Sequence, residues 1–496
     1  MSAVTERIGL VANSPLRYLM VDIARALRER YGSTIHLYST NKQKLGHFES
    51  QNTDGVFTSI TGDMGLVNLT SRPESNQDTL LAKAREYERR IGRTYNSLAV
   101  GNRHLGRGYA LAGNGHPRSR MATESDYLAL VHSYNEHFDR WQREIDEKRL
   151  TLILFGPGET PCIARANGVP FRTLVGSRHK NYHYWAHDEF ISNPNIEAAY
   201  HALKGDRPQQ PAQDEAYKLA EIHTPKFLRD LTFSRTVWRT GVHAARRIYW
   251  RFRGYEKAKN YYAMDELAML MRQWRDRRRM TRPTMAKLSD LTDTPFVFFP
   301  LATEPESSIG QYSPEFFFQH AAIAALSRDL PAGMKLAVKE AVWAVGRRPA
   351  DFYKQIAELK NVVWLNMTEQ GIHIAQQATA VATITGTSGF EAAVHGTPVI
   401  SFGAHNHYNF LPHVAYVSDL AKLGEHLGPL LGADFDRQAA QAAGKRFLDA
   451  IVETSFDLGE YDYINFKSYD DRVVNDATTA LVDSLDSDVV KQQLQA

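Results

Sequence analysis

The start of the chain alternates between short apolar runs and apolar positions at helical spacing. Residues 8–12 form a run typical of a buried strand, and Thr34–Tyr38 forms a second one. Between them apolar side chains recur every three or four residues, and Gly32 marks the end of that helix. The apolar positions of the helix are Leu16, Leu19, Ile23 and Leu27. A strand, a helix and a strand in this order predict a parallel sheet covered by helices.

The same alternation returns further along the chain. A long amphipathic helix is predicted over residues 126–148, and a buried strand over 152–155 runs into the glycine-rich loop 156–160. Residues 68–119 show no clear period. A second series of strands is predicted at residues 296–299, 335–338, 362–365, 380–385 and 398–402. The pattern therefore predicts two α/β regions, each with its own sheet.

The segment between these regions has a different composition. Residues 226–287 are rich in arginine, interleaved with phenylalanine, tyrosine and tryptophan. This pattern predicts a helical connector, with three interpretations. The connector is a plain bridging helix pair with a charged outer face, a nucleic-acid surface, or a surface lying on anionic lipid headgroups. The predicted segments are an N-terminal α/β domain at 1–215, a basic aromatic connector at 216–292, a C-terminal α/β domain at 293–475 and a helical tail at 476–496.

Composition narrows the class of protein. The net charge of +3 does not suggest a nucleic-acid partner, and the single cysteine, Cys162, allows neither an internal disulfide nor a cysteine zinc site. The N-terminal residues lack the pattern of a signal peptide, and no apolar run approaches the ~20 residues of a membrane span. We therefore expect a cytoplasmic protein, which would meet the inner face of the cytoplasmic membrane only from the membrane surface.

The most informative stretch covers residues 381–403, which read as a strand, a tight loop, a short helix and a second strand. Backbone N–H groups and the helix dipole at the loop suit a phosphate group, and Glu391 lies within reach of ribose hydroxyls. An alternative is a capping box of Ser388 and Glu391, with Gly396 as an ordinary helix stop. The loop residues that we predict to bind a donor nucleotide are Thr385, Gly386, Thr387, Ser388 and Gly389.

Two further stretches carry charged groups just after predicted strands. Glu304 and Glu306 follow one strand, and close carboxylates can act as acid, base or hydroxyl-binding groups. Lys339 and Glu340 end the next strand, and Arg347 follows a glycine together with Arg348. These cations can neutralise a nucleotide phosphate. We predict that the donor-nucleotide site includes Glu306, Lys339, Glu340 and Arg347, together with Glu391. The alternatives are a solvated acidic loop in the first case and local ion pairs in the second.

The N-terminal domain offers candidates for catalysis and for binding an acceptor. Glu159 follows Gly158 at a predicted strand end, where a base or nucleophile is well placed, although a carboxylate at a helix start is an alternative. Asp188 is a second candidate for catalysis, with Glu304 of the C-terminal domain as a third. Arg178, His183 and Trp185 lie in the aromatic stretch before Asp188, and we predict that they bind a sugar acceptor, with ordinary packing as the alternative.

These stretches, in this order, resemble the bacterial capsule-type glycosyltransferases that include the retaining β-Kdo transferases. The family's "QPE(S/A)ST"-like loop appears here as ATEPESS at 302–308, and its "VKEHP…G-R" segment appears as Val338-Lys339-Glu340 followed by Gly346-Arg347-Arg348-Pro349. Its "TGT…GFEA…PVI-FG" segment appears at 385–403. The resemblance is clear over residues 296–412 and weaker over 152–195. The family's His-Pro pair, which contacts the cytidine monophosphate of the donor, is replaced by Ala341-Val342.

The resemblance implies a GT-B-like α/β fold, with two Rossmann-type domains facing across a cleft and a helical connector. It implies a glycosyltransferase that needs no cofactor and no metal, with a nucleotide sugar, CMP-Kdo as the favoured guess, as donor. The acceptor would be a bacterial surface polysaccharide or glycolipid, such as capsule or lipopolysaccharide. Asp434 and Asp436 have the spacing of a metal-binding pair, but they precede a helical pattern and predict a helix cap. The rivals are a nucleotide-sugar epimerase of the same shape and an inactive glycan-binding or scaffold subunit.

Overall fold

The computed structural model describes most of the chain as two compact units. The first unit comprises Met1–Leu98, Ser125–Gly205 and Asp449–Ala496, and the second comprises Ala99–Glu124 and Asp206–Leu448. The described residues are 3–13, 15–39, 45–62, 64–66, 76–102, 105, 116–119, 123, 126–203, 227–254, 261–304, 306–316, 319–349, 351–461 and 468–486.

The first unit is built on a seven-stranded sheet in the order β13-β6-β5-β4-β1-β2-β3. The strands β1 to β5 run parallel to one another, whereas β6 is antiparallel to both β5 and β13. The strands are β1 (Arg7–Val11), β2 (Thr34–Tyr38), β3 (Ser59–Thr61), β4 (Leu152–Leu154), β5 (Phe171–Gly176), β6 (Tyr182–Ala186) and β13 (Phe456–Asp457).

Helices cover this sheet because their apolar faces are buried against it. In the helix Leu19–Tyr31 the buried side chains recur at helical spacing, and Gly32 ends the helix in the left-handed conformation, with a φ of 66°. The helix predicted over residues 126–148 is observed as Tyr127–Lys148, and the Asp126 carboxylate caps it by accepting from the Ala129 N–H at 2.7 Å. The remaining helices of this unit are Leu45–Gln51, Gln77–Ile91, Glu159–Ala166, Pro194–Ala202 and Asp471–Asp486. The helix Tyr95–Gly101 begins in this unit, and its residues from Ala99 belong to the second unit.

The second unit contains a six-stranded sheet, parallel throughout, in the order β12-β11-β10-β7-β8-β9. Its central strands are apolar on both faces, as expected for a sheet covered by helices on both sides. The strands are β7 (Phe296–Pro300), β8 (Lys335–Lys339), β9 (Val362–Trp364), β10 (Ala380–Thr383), β11 (Val399–Ser401) and β12 (Val414–Tyr416).

The helices of the second unit include the predicted connector. Phe233–Phe252 and Ala263–Met280 pack against each other, and the second of them approaches the turn after β8 through Gln273, which lies against Gly346. The other helices are Ser307–Gly310, Gln319–Asp329, Phe352–Ala357, Gly371–Gln377, Thr387–His395, Leu423–Leu431 and Arg437–Glu453. No described helix combines the length and the apolar character that a bilayer crossing requires.

The predicted α/β class is confirmed. Both sheets follow the order of a doubly wound Rossmann-type sheet, in which the chain builds outward from a first strand and then returns to that strand's other side. Two Rossmann-type units in one chain make the fold GT-B-like, as the resemblance implied.

The predicted domain boundaries differ from the two units. Residues from Asp449 onward belong to the first unit, because β13 extends its sheet and the Trp185 indole donates to the Ala477 carbonyl oxygen at 2.9 Å. The basic aromatic helices belong to the second unit rather than to a separate segment. The boundary predicted at residue 215 and the residues 487–496 of the predicted tail lie outside the described residues.

Candidate functional site

The strand order defines one position in the second sheet where a ligand is expected. The chain builds β7, β8 and β9 in one direction and then returns to place β10 on the other side of β7. In sheets of this kind, ligands bind outside the carboxyl ends of the strands where the order reverses. The segments after β7 and β10 contain Glu304 and Gly386 respectively, and Lys339 ends the neighbouring strand β8. The three predicted motifs therefore reach the same edge of the sheet.

The helix Thr387–His395 begins at this edge. Its N-cap residue is Gly386, whose backbone is extended at φ −73° and ψ 152° and which has no side chain to form a cap. The alternative capping box is therefore wrong, since Ser388 lies inside the helix instead of preceding it. The Gly386 N–H donates to Thr383 Oγ1 at 2.9 Å, so the loop is tied to the end of β10. The backbone N–H groups at a helix N-terminus are suited to an anionic ligand.

Glycines fix this helix closely against its neighbours. A Cβ atom at Gly389 would lie 2.4 Å from Thr383 Cγ2 and 2.4 Å from the Tyr408 hydroxyl oxygen. Gly396 ends the helix at a φ of 73°, and a Cβ atom there would lie 2.5 Å from the Gln441 backbone nitrogen. The predicted helix stop at Gly396 is confirmed, and the residue also allows the contact with the helix Arg437–Glu453.

Replacing Gly396 with alanine is expected to lower the free energy of unfolding by about 2 kcal/mol, because the side chain forces a left-handed backbone and meets backbone atoms. Gly424→Ala is the matched control, since no atom lies within 4 Å of a Cβ placed there. Urea unfolding of both variants measures the difference. Equal stability of the two variants would contradict the close contact at Gly396.

Lys339 places a positive charge at the same edge. The residue ends β8 and is partly buried. Burial lowers the pKa of Lys339, while the carboxylates of Glu340, Glu391 and Glu369 act in the opposite direction. Among the residues that the structure describes, none forms a hydrogen bond or a direct ion pair with the ammonium group. Lys339 is therefore a cation available to a ligand, near Glu391 of the helix Thr387–His395.

A buried ion-pair network connects two of the predicted motifs. Arg348 is only 3% exposed, and its guanidinium donates to both Glu340 carboxylate oxygens at 3.0 and 2.8 Å. The same group lies 3.3 Å from the Glu304 carboxylate and donates to the Ala302 carbonyl oxygen at 2.6 Å. One guanidinium therefore holds together the segment after β7 and the segment after β8.

Two neutral side chains complete this network. The Gln319 amide donates to Glu304 Oε1 at 2.5 Å, and the Tyr353 hydroxyl donates to Glu340 Oε2 at 2.7 Å. Burial raises the pKa of Glu304, and the nearby Arg348 opposes that rise. Because both carboxylates are buried and hydrogen-bonded, this placement favours a positioning role for Glu304 and Glu340 over direct contact with a reacting group.

The remaining predicted donor-site residues lie in more open positions. Glu306 is exposed, Arg347 is partly buried next to Arg348, and Thr387 is exposed at the first position of its helix. Thr385 is buried in the loop after β10. Gln319 and Tyr353 were not among the predicted site residues, and Arg348 was predicted only as a phosphate-binding cation beside Arg347. The two adjacent arginines after Gly346 were the only local signal, and the pattern does not reveal which of them turns inward.

In the first unit, Glu159 lies at the equivalent reversal of strand order. In this sheet β4 pairs with β1, on the side of β1 opposite to β2. The loop 155–158 follows β4. Glu159 is the first residue of the helix Glu159–Ala166 and is only 5% exposed. Burial raises its pKa, while the hydrogen bond from its own N–H and the charge of Arg93 act against that rise. The effect of burial on this pKa is therefore larger than the opposing effects of that hydrogen bond and of Arg93.

The other first-unit candidates are held by contacts within the protein. Asp188 accepts from the N–H groups of Phe190 and Ser192 at 2.9 and 3.0 Å, and from the Ser192 hydroxyl at 2.6 Å. His183 lies in β6, and its Nδ1 is 2.9 Å from the Asn181 carbonyl oxygen. Trp185 is 2% exposed, so its indole cannot stack on a sugar in this conformation. Arg178 lies in the turn between β5 and β6 with a φ of 71°. The structure does not bring these four residues together with Glu159 through a described contact.

Within the described part of the chain, no group of three or more histidine, cysteine, aspartate or glutamate side chains is arranged to hold a metal ion. Asp436 accepts from the Ala439 N–H at 2.9 Å, which is the arrangement of a helix cap. The predicted cap at this pair is therefore confirmed.

Comparison with known proteins gives a family match over part of the chain. The fold is a GT-B-like α/β fold, and residues 204–411 match the model of the family described as capsule polysaccharide biosynthesis protein. The predicted resemblance to that family is thereby confirmed over less than half of the chain, and it includes the motifs at 302–308, 338–349 and 385–403. No curated protein matches the chain.

Three solved structures illustrate the structural likeness. The Thermosulfurimonas dismutans KpsC, a beta Kdo 2,4 transferase, is 12% identical over 59% of this chain and 78% of that chain, with a TM-score of 0.30. Acinetobacter baumannii MurG is 10% identical over 89% and 95%, with a TM-score of 0.27. The S. aureus MnaA–UDP co-structure is 7% identical over 89% and 91%, with a TM-score of 0.27. At these values the likenesses assign no function.

Proposed function

We propose that the chain is a metal-independent glycosyltransferase of capsule polysaccharide biosynthesis, which moves a sugar from a nucleotide donor onto a bacterial surface glycan or glycolipid. The observation that carries this proposal is the availability of Lys339 at the reversal of the second sheet, near Glu391 of the helix that begins at the same edge, Thr387–His395. The family match over residues 204–411 supports the same class of reaction.

The donor site of the proposal lies entirely within the second unit. The departing nucleotide carries a phosphate whose charge increases as the bond to the sugar breaks. Lys339 and the N–H groups at the start of the helix Thr387–His395 stabilise that charge, which replaces the role of a metal ion. Ser388 adds a hydroxyl, and Glu391 lies one turn further along the helix, where it can reach ribose hydroxyls. Arg348 acts indirectly, because it holds the Glu304 and Glu340 segments in place.

Glu159 is the carboxylate that we propose for the chemistry on the acceptor side. Its raised pKa suits a group that exchanges a proton with a hydroxyl near neutral pH. CMP-Kdo is the donor that we propose, on the strength of the family motifs. The replacement of the family's His-Pro pair by Ala341-Val342 makes an inactive, glycan-binding subunit the second candidate.

Thermal unfolding with a panel of nucleotides tests the donor site. A ligand that binds only the folded protein stabilises it by about 2.7 kcal/mol at 100 times its Kd. We expect CMP and its sugar conjugate to raise the melting temperature more than CDP, UDP or GDP. We expect Lys339→Ala to weaken this binding by about 10- to 100-fold, because one charge-assisted contact to phosphate is lost. Ser388→Ala should weaken it less.

Lys354→Ala is the matched control, because that lysine is exposed in the helix Phe352–Ala357 and its ion pair among the described residues is with Glu358 at 4.0 Å. A rise in melting temperature with a nucleoside diphosphate instead of CMP would agree with transferase activity but would reject CMP-Kdo as the donor. Release of a changed sugar without any acceptor would indicate an epimerase. If no nucleotide raises the melting temperature, the proposal is overturned and the inactive, glycan-binding subunit is favoured.

A further inference from the structure

The helix Phe233–Phe252 has an unusually apolar outer surface. Trp238 is 73% exposed, Ile248 is 59% exposed and Phe252 is 87% exposed. The helix has about 3.6 residues per turn, so these side chains share one face and span roughly 21 Å from Trp238 to Phe252. Val237, Gly241, Ala245 and Tyr249 are exposed on the same face. We call this set of seven residues the apolar stripe.

The inner face of the helix is defined by its contacts. Thr236 is buried, and His243 and Arg247 lie 3.0 and 3.1 Å from the Glu266 carboxylate of the helix Ala263–Met280. Arg247 follows Trp238 by nine residues, which is about half a turn away on the helix surface. The apolar stripe therefore points away from the protein side that anchors this helix. Contiguous exposed apolar surface of this kind is uncommon unless it binds something.

The charged residues of this helix indicate which kind of partner the apolar stripe binds. The helix contains five arginines and no aspartate or glutamate. At about 100° per residue, Arg235 and Arg246 lie on one side of the apolar stripe and Arg251 on the other. Within the described part of the chain, the side chains of Arg246, Arg251 and Arg253 have no carboxylate partner. Apolar and aromatic side chains in the middle, with arginines along both sides, are typical of a helix lying in the headgroup region of an anionic bilayer.

We propose that the outer face of the helix Phe233–Phe252 docks the protein on anionic lipid bilayers. The apolar stripe enters the boundary between headgroups and acyl chains, and the flanking arginines pair with lipid phosphates. A protein partner is a less suitable occupant, since it would need an acidic frame on both sides of an apolar groove. The proposal does not depend on the proposed transferase activity, because neither a nucleotide nor a glycan takes part in it.

Sedimentation with lipid vesicles tests the proposal on the full chain. We expect binding to vesicles of phosphatidylcholine with about a third phosphatidylglycerol, little binding to phosphatidylcholine alone, and weaker binding as salt is raised. Trp238→Ser with Phe252→Ser should reduce binding by at least about 10-fold. Arg246→Gln, Arg251→Gln and Arg253→Gln together should reduce it by about 100-fold on anionic vesicles, at roughly fivefold for each arginine.

Two controls test whether vesicle binding depends on this helix rather than on the net charge of the protein. Arg328→Gln, Arg446→Gln and Arg472→Gln together remove the same charge from exposed positions elsewhere, and they should leave binding unchanged. Gly241 lies in the apolar stripe with no atom within 4 Å of a Cβ placed there, so Gly241→Cys can carry an environment-sensitive fluorophore, while the native Cys162 is buried. The fluorophore should shift to the blue with anionic vesicles. A fluorophore on Tyr127→Cys, in the first unit, should not.

Equal sedimentation of wild type and the Trp238/Phe252 variant would overturn the proposal. A dimer in solution that these two substitutions dissociate, without binding to vesicles, would also overturn it and assign the stripe to a second copy of the chain. Loss of vesicle binding in a variant that still shows the nucleotide-induced shift in melting temperature would support the proposal and separate it from the proposed function.

Discussion

Replacing Arg348 with alanine is expected to lower the free energy of unfolding by about 3–5 kcal/mol, because two carboxylates remain buried without their positive partner. Glu340 is fully buried, and Glu304 is 3% exposed. The guanidinium also supplies the hydrogen bond to the Ala302 carbonyl oxygen, which joins the segments after β7 and β8. We therefore expect the second unit to unfold first in a two-unit thermal scan.

The expected loss has a definite pH dependence. In the variant, the pKa of Glu304 should rise further, since burial and the nearby Glu340 are no longer opposed by Arg348. Lowering the pH then neutralises Glu304 and reduces the loss of stability relative to wild type. Calorimetry between pH 5 and 8 measures this effect. Adding Glu304→Gln and Glu340→Gln to Arg348→Ala should recover part of the stability at neutral pH.

The exposed Arg328 offers a matched control for this variant. It pairs with Asp329 at the surface, where water and ions screen the interaction, so Arg328→Ala should change the stability little. A similar loss in both variants would show that the buried network is not the source of the effect. A Glu304→Gln, Glu340→Gln, Arg348→Ala variant that is no more stable than Arg348→Ala alone would also contradict the charge-based explanation.

Replacing Glu159 with glutamine is expected to lower the rate of sugar transfer by about 10²- to 10⁴-fold, the usual contribution of a general acid or base. The same change should raise the melting temperature at neutral pH. Burial raises the pKa of Glu159, so the folded protein binds the proton more tightly than the unfolded chain does. Above the ordinary glutamate pKa of about 4.3, the wild type therefore loses stability as the pH rises, whereas the glutamine variant does not.

The two effects are measured separately. Transfer is followed with the donor that shifts the melting temperature, and calorimetry compares wild type with Glu159→Gln from pH 4 to 8. The stability advantage of the variant should grow with pH. Glu197→Gln is the control, because this glutamate lies in the first turn of a first-unit helix but is exposed. Unchanged transfer in Glu159→Gln would reject the catalytic role, and an unchanged melting temperature would reject the cost of the buried carboxylate.

The sequence was sufficient to predict most of the parallel strands of both units. Thr34–Tyr38 was predicted with the observed bounds, and five strands of the second unit were placed within two residues. The strands β3, β6, β12 and β13 were not predicted. The pairing of β13 with β6 joins Phe456 to His183, and a contact so distant along the chain leaves no local pattern.

The candidate site was predicted less completely than the fold. The structure joins Glu304, Glu340 and Arg348 in one network, because the carboxyl ends of neighbouring parallel strands meet at one edge. Which arginine turns inward depends on Gly346, whose φ of 82° and close contact with Gln273 orient the turn. Because of its aromatic surroundings in the sequence, Trp185 was predicted to bind a sugar acceptor. Its burial against the C-terminal segment that returns to the first unit gives that role no support.

The return of residues 449–496 to the first unit also has a consequence for synthesis on the ribosome. Between Gly205 and Phe456 the ribosome adds about 250 residues, which takes roughly 12–50 s at 5–20 residues per second. During this interval β6 is an open sheet edge, and the guanidinium of Arg172 lacks its partner at Ser484. Nascent chains of the first unit are therefore expected to need chaperone protection until the second unit has been completed.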